Sequence, residues 1–180
     1  MHEIPHPSMA LNAPGLYPMR MWNTREVADN VTPIWLVRNI VSVALSAPET
    51  GKLAALVINC HSYVTEDMEI LGLKLGTGIY YKDISKFNKL KNRVDAIYVQ
   101  SCALARGEKG KAFCKKLARE TMANVYAAEN DQLVPNTYEL GHLKPGLIDD
   151  YEGPIYKFGP GGEMTPQTFK SVLAGSDQSY

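Results

Sequence analysis

The chain has 180 residues, with 19 Lys and Arg against 19 Asp and Glu, and a formal net charge of zero. That length suits one domain with a substantial core, and the even charge excludes both the basic footprint of a nucleic-acid binder and a polybasic membrane patch. Hydrophobic residues make up 45%, as in a globular protein, and the longest apolar stretch, residues 34–47, is broken by Arg38, Asn39 and Ser42 and is too short to cross a bilayer.

Residues 1–31 read as an N-terminal arm. Pro5, Pro7, Pro14 and Pro18 fix φ and remove donors, so residues 1–20 are expected to be extended or looped. They contain no basic segment followed by a continuous apolar one, so no export signal is read there. The first strong element opens at Thr32-Pro33, a helix N-cap followed by proline at the first helical position. Ile34, Val37, Ile40, Val41, Ala44 and Leu45 then follow helical spacing, and Pro48 and Gly51 close the segment. Residues 53–58, Leu-Ala-Ala-Leu-Val-Ile, form a short apolar run with the character of a strand buried on both faces.

Beyond it, Gly72, Gly76 and Gly78 predict a hairpin or excursion over residues 63–81. Asp83 is the expected N-cap of a helix carrying Ile84, Phe87 and Leu90 on one face. Residues 95–100 form a second core strand. Residues 107–122 form a helix with Ala112, Phe113, Leu117, Ala118 and Met122 inward, and residues 124–128 a third strand. This alternation predicts a single α/β domain over residues 32–160, with a mostly parallel sheet and helices on both faces. Residues 154–158 could add a strand, Gly159 to Gly162 a turn, and Thr165-Pro166 a short helix. Residues 161–180 are expected to form a tail that frays from Gly175 onward.

In an open parallel sheet, ligands bind beyond the carboxyl ends of the strands. His61 and Cys102 each follow an apolar strand at such an end. An imidazole near a thiol raises its thiolate fraction or takes its proton during attack, which is the minimum needed for acyl transfer through a thioester. Alone, a histidine at a strand end is usually structural, and a cysteine is usually a small buried hydrophobe. The matched placement on consecutive strands is what joins these two. Cys60 precedes His61 and is expected to face the other way, and Cys114, on a helix, reads as a packing residue. Three cysteines without close pairing exclude a disulfide framework, and no CxxC or HExxH motif suggests a zinc site.

The blocks Leu56-Val-Ile-Asn-Cys-His-Ser62 and Ala96-Ile-Tyr-Val-Gln-Ser-Cys-Ala103 resemble the caspase-like cysteine peptidases of clan CD. That group includes caspases, gingipains, clostripain and the self-cleaving domain of large bacterial toxins. Its members place a catalytic His after one hydrophobic strand and a catalytic Cys after the next. The Gln-Ser-Cys triplet looks like the Gln-Ala-Cys of caspases, and residues 101–128 look closest to uncharacterised bacterial caspase-like domains. The resemblance covers roughly residues 53–131. It implies a caspase-like fold and a cysteine endopeptidase, with Cys102 as nucleophile, His61 as proton-transfer partner, and the backbone N–H groups of Ser62 and Cys102 facing the oxyanion.

The family usually has glycine where this chain has Ser62, whose side chain would either crowd the substrate carbonyl or add a hydroxyl donor. In the family the P1 pocket lies near the active-site strands. Glu129 and Asp131 are therefore candidates to select a basic P1 residue, and Arg106 or Arg20 an acidic one. No third catalytic residue is readable, since Glu129, Asp131 and Asp150 read as solvated loop carboxylates.

The partner expected is a protein or peptide substrate, with no nucleic acid, membrane, metal or cofactor. The location expected is the cytoplasm, or secretion without a cleavable signal peptide. One rival reading is a caspase-like binding module that no longer cuts. Another is a nucleotide-binding α/β domain, but Gly72, Gly76 and Gly78 form neither GxGxxG nor a P-loop after a strand.

Overall fold

The computed structural model describes residues 1–132 and 144–169. The expected fraying from Gly175 onward lies outside them. Among the described residues, twelve strands and three helical segments follow in order: β1 (His2–Glu3), β2 (Ser8–Asn12), β3 (Asn23–Glu26), α1 (Pro33–Ser46), β4 (Leu53–Asn59), β5 (His61–Val64), β6 (Ile70–Lys74), β7 (Ile79–Tyr80), a 3-10 helix (Tyr81–Leu90), β8 (Val94–Gln100), α2 (Gly107–Thr121), β9 (Asn124–Ala128), β10 (Leu147–Ile148), β11 (Ile155–Phe158) and β12 (Met164–Gln167). The protein is α/β, built on a seven-stranded sheet of order β12-β11-β9-β8-β4-β2-β3. Strands β3, β2, β4, β8 and β9 run parallel. Strands β11 and β12 join antiparallel, so the sheet is mixed rather than mostly parallel. β12 follows β11 through the tight Gly159–Gly162 turn, which joins neighbouring strands antiparallel without a crossover.

The helices were expected on both faces. Among the described residues all three pack on one face instead. Leu36, Val37 and Ile40 of α1, Ile84, Phe87 and Leu90 of the 3-10 helix, and Phe113 and Leu117 of α2 share one core with Leu56, Ile58, Ile97 and Val125. Strand order supplies the reason. The steps β3 to β4, β4 to β8 and β8 to β9 all advance across the sheet in one direction, and right-handed crossovers that advance together place their helices together. The step β2 to β3 runs the other way, and its connection holds Pro14 and Pro18 in place of a helix. Met19 and Met21 of that connection cover the opposite face, with Met1, Ile4, Ile148 and Tyr151.

The segment read as an arm thus contributes an interior strand. Every residue of β2 is buried, between β3 and β4. Its prolines lie outside the strand, where the missing N–H costs no ladder bond. Within the segment expected as a tail, Thr165 and Pro166 belong to edge strand β12 rather than to a helix. Asp83 is not an N-cap but sits in the first turn of the 3-10 helix. It accepts from the Tyr80 N–H (3.1 Å) and pairs with Lys86. On α2, Ala112 and Met122 are exposed, not inward, and Cys114 takes the buried place. Thr32 caps α1 as its sequence predicts, accepting from the Trp35 N–H.

No helix of the described residues is long and apolar enough to cross a membrane.

Candidate active site

Strands β4 and β8 are parallel neighbours that finish level, with Asn59 opposite Gln100. One residue further, the Cys60 N–H still donates to the Gln100 carbonyl (3.1 Å). His61 and Cys102 therefore leave the sheet at matching positions on one rim. Their surroundings differ. His61 begins β5, the first strand of a small antiparallel sheet β5-β6-β7, and is exposed. Cys102 is half-buried in a turn that reverses the chain between β8 and α2.

That turn is held from several sides. Ala103 adopts φ +48°, a left-handed conformation that costs a non-glycine residue about 1 kcal/mol. The Ala103 N–H donates to the Asn130 carbonyl (2.9 Å), the Ala105 N–H to the Ala128 carbonyl (2.9 Å), and the Arg106 N–H back to the Ala103 carbonyl (2.8 Å). Ala103, Leu104 and Ala105 are buried. Helix α2 abuts the turn through Gly110, where any Cβ would come within 2.2 Å of the Leu104 carbonyl oxygen.

The thiol of Cys102 donates to the Gln132 carbonyl at 3.6 Å. Gln132 is anchored in turn by its side chain, which donates to the Asn130 and Glu152 carbonyls and accepts from the Glu152 N–H. Among the described residues no hydrogen bond joins His61 to Cys102, and the Cys102 N–H has no acceptor. The other two thiols are sealed in the core. Burial pushes the Cys60 thiol up to about 12, and burial raises Cys114 as well. Cys60 faces the helix-side core while His61 faces solvent, as strand alternation demands.

The charged candidates turn out to be engaged. Arg106 and Asp131, named as opposite choices for P1 selection, pair with each other at 3.1 Å. Glu129 sits between Lys111 (3.5 Å) and the Tyr156 hydroxyl, which donates to it at 3.1 Å. Asp150 lies 3.4 Å from His2. Two surface hollows, one between β6 and α2 and one at the start of α1, are lined by neither His61 nor Cys102. No cluster of His, Cys, Asp and Glu among the described residues could hold a metal ion.

Three polar residues at the rim escaped the reading of motifs. Asn12 and Asn59 end β2 and β4, where the order of the sheet reverses and a doubly wound fold opens its crevice. Here Asn59 donates to the Asn12 side-chain oxygen (2.9 Å) and to the Tyr17 carbonyl (2.9 Å). Asn12 brackets Met19 by donating to its carbonyl and accepting from its N–H. The crevice is thereby closed by the chain's own residues 13–19. The third residue is Ser101, buried, with its hydroxyl 2.7 Å from that of Ser62. A polar residue ending each apolar strand was the available signal.

The chain matches no protein-family model and no curated protein.

Proposed function

We propose that the protein is a caspase-like cysteine endopeptidase that cleaves peptide bonds through a thioester on Cys102. The observation that carries the reading is the placement of Cys102. It is the one cysteine that reaches the surface, and it does so at the strand end level with His61. The thiolate would attack the scissile carbonyl, with His61 accepting the thiol proton and returning it to the leaving amine. The tetrahedral oxygen would meet the Cys102 N–H, a donor fixed by the turn and needing no reorganisation as charge develops. Water then hydrolyses the thioester. Arg106 and Asp131 neutralise one another, so a charged P1 residue would be read only after that pair opens.

The thiol's hydrogen bond to Gln132 favours a second reading, a caspase-like binding module that no longer cuts. A peptide-library cleavage profile separates the two. The wild type should cut, Cys102→Ala should not, and His61→Ala should fall by at least about a hundredfold. Identical profiles for the wild type and Cys102→Ala would remove the peptidase reading.

A further inference from the structure

We propose that Ser62 is a positioning residue whose hydroxyl ties the His61-bearing strand to the peptide of Cys102 and holds the Cys102 N–H in place for the oxyanion. The inference rests on the thioester reading above and extends it to the Ser62 side chain, at a position where the family usually has glycine.

Counting protons fixes how the bonds run. The Ser62 Oγ lies 2.6 Å from the Cys102 carbonyl oxygen. A carbonyl only accepts, so this bond uses the single Ser62 O–H. Ser62 must then accept across its 2.7 Å contact with Ser101, whose hydroxyl is the donor. Two donors in a row, Ser101 and Ser62, thus point one way and end on the carbonyl of Cys102. With its proton committed, the Ser62 hydroxyl is no direct oxyanion donor, and the side chain is turned toward the Cys102 turn.

The same accounting shows why the peptide needs an anchor. Cys102 lies past the last ladder bond of β8 and before Ala103 at φ +48°. The peptide linking these two residues is held at both ends, its carbonyl by Ser62 and its N–H by the Asn130 carbonyl. Remove Ser62 and the Cys102 carbonyl is free to turn about ψ of Cys102, which loosens the turn in which the neighbouring Cys102 N–H is set. The thiol sulfur, on the side chain, stays exposed to reagents.

That difference defines the test. In a peptide aldehyde adduct the Cys102 sulfur bonds to the carbonyl carbon, the π pair moves to oxygen, and the thiol proton ends on that oxygen, which occupies the oxyanion position. In iodoacetamide alkylation the Cys102 thiol gives its proton to the buffer, the thiolate forms the S–C bond as iodide leaves, and no oxyanion develops. The probes are acetylated tripeptide aldehydes ending in arginine, lysine or aspartate, with iodoacetamide alongside, and adducts are located by mass spectrometry.

Ser62→Ala should weaken aldehyde binding about tenfold while iodoacetamide alkylation of Cys102 stays within about twofold. Ser62→Thr should restore aldehyde binding, and Ser101→Ala, which leaves the Ser62 donor in place, should weaken it less than Ser62→Ala does. Unchanged aldehyde binding in Ser62→Ala would overturn the proposal. So would a parallel loss of both reactions, which marks a merely structural role. A wild type that takes iodoacetamide at Cys102 but none of the aldehydes would instead overturn the thioester reading, and this inference with it.

Discussion

At pH 8 the native protein should expose one reactive thiol equivalent, not three, to an aromatic disulfide reagent. Only thiolate attacks the reagent. With the Cys60 thiol pushed up to about 12 by burial, its ionised fraction at pH 8 is about 10⁻⁴. A free thiol with a pKa of about 8.5 is roughly one-quarter ionised there, so the chemical handicap alone is over a thousandfold. Burial adds a steric barrier, because Cys60 and Cys114 are reached only when the core opens. One equivalent should react quickly in the wild type, that phase should vanish in Cys102→Ala, and it should persist in Cys60→Ala. Denaturant should then release the remaining two. A fast phase surviving in Cys102→Ala, or a native stoichiometry of two or three, would refute the reasoning about how the rim and the core divide the thiols.

Gln132→Ala removes the side chain that holds its segment to Asn130 and Glu152, and should cost about 1–3 kcal/mol of local stability. The Cys102 alkylation rate, followed by mass spectrometry, should rise as the Gln132 carbonyl moves away. Gly110→Ala should destabilise the protein despite alanine's better helix propensity, because the new Cβ meets the Leu104 carbonyl at 2.2 Å. A lowered thermal midpoint with altered Cys102 reactivity is expected, and a raised midpoint would count against the close approach of α2 to the turn. The pH dependence has a definite sign. Cys60 has a raised folded pKa, so its contribution to stability is full below its unfolded value near 9 and declines as pH rises toward about 12. In denaturant melts, the stability gap between the wild type and Cys60→Ala should therefore narrow above pH 9, by at most about 1.4 kcal/mol per pH unit.

Much of the sheet was legible because its strands carry undiluted apolar runs. Leu53–Asn59 and Val94–Gln100 are buried on both faces and could not be mistaken for surface segments. Their ends located His61 and Cys102 on one rim. Strand β2 was hidden by its flanks. Five residues, Ser-Met-Ala-Leu-Asn, between prolines look like loop, and only pairing with β3 and β4 makes them core. The placement of the helices depends on the direction of each crossover, which no local pattern records. The partners of Arg106, Asp131 and Glu129 were unreadable for a similar reason. A charge takes its meaning from what the fold sets beside it, and here Lys111 and Tyr156 come from α2 and β11. Ser62 was visible as a departure from the family pattern, but the direction of its bond required Ser101 and the Cys102 carbonyl in three dimensions.

The hairpin of β11 and β12 has a consequence for how the chain matures on the ribosome. Parallel strands β3, β2, β4, β8 and β9 are all translated before residue 129, so the sheet could assemble with β9 as a bare, apolar margin. Such a margin is a template for sticking to another nascent chain. Ile155 to Phe158 cover it by pairing with Val125 to Ala128, and β12 then presents Pro166, which has no N–H to offer a newcomer. Among the described strands, β11 and β12 leave the tunnel last and seal this margin of the sheet. A chain cut short before them should aggregate although its rim residues are already made.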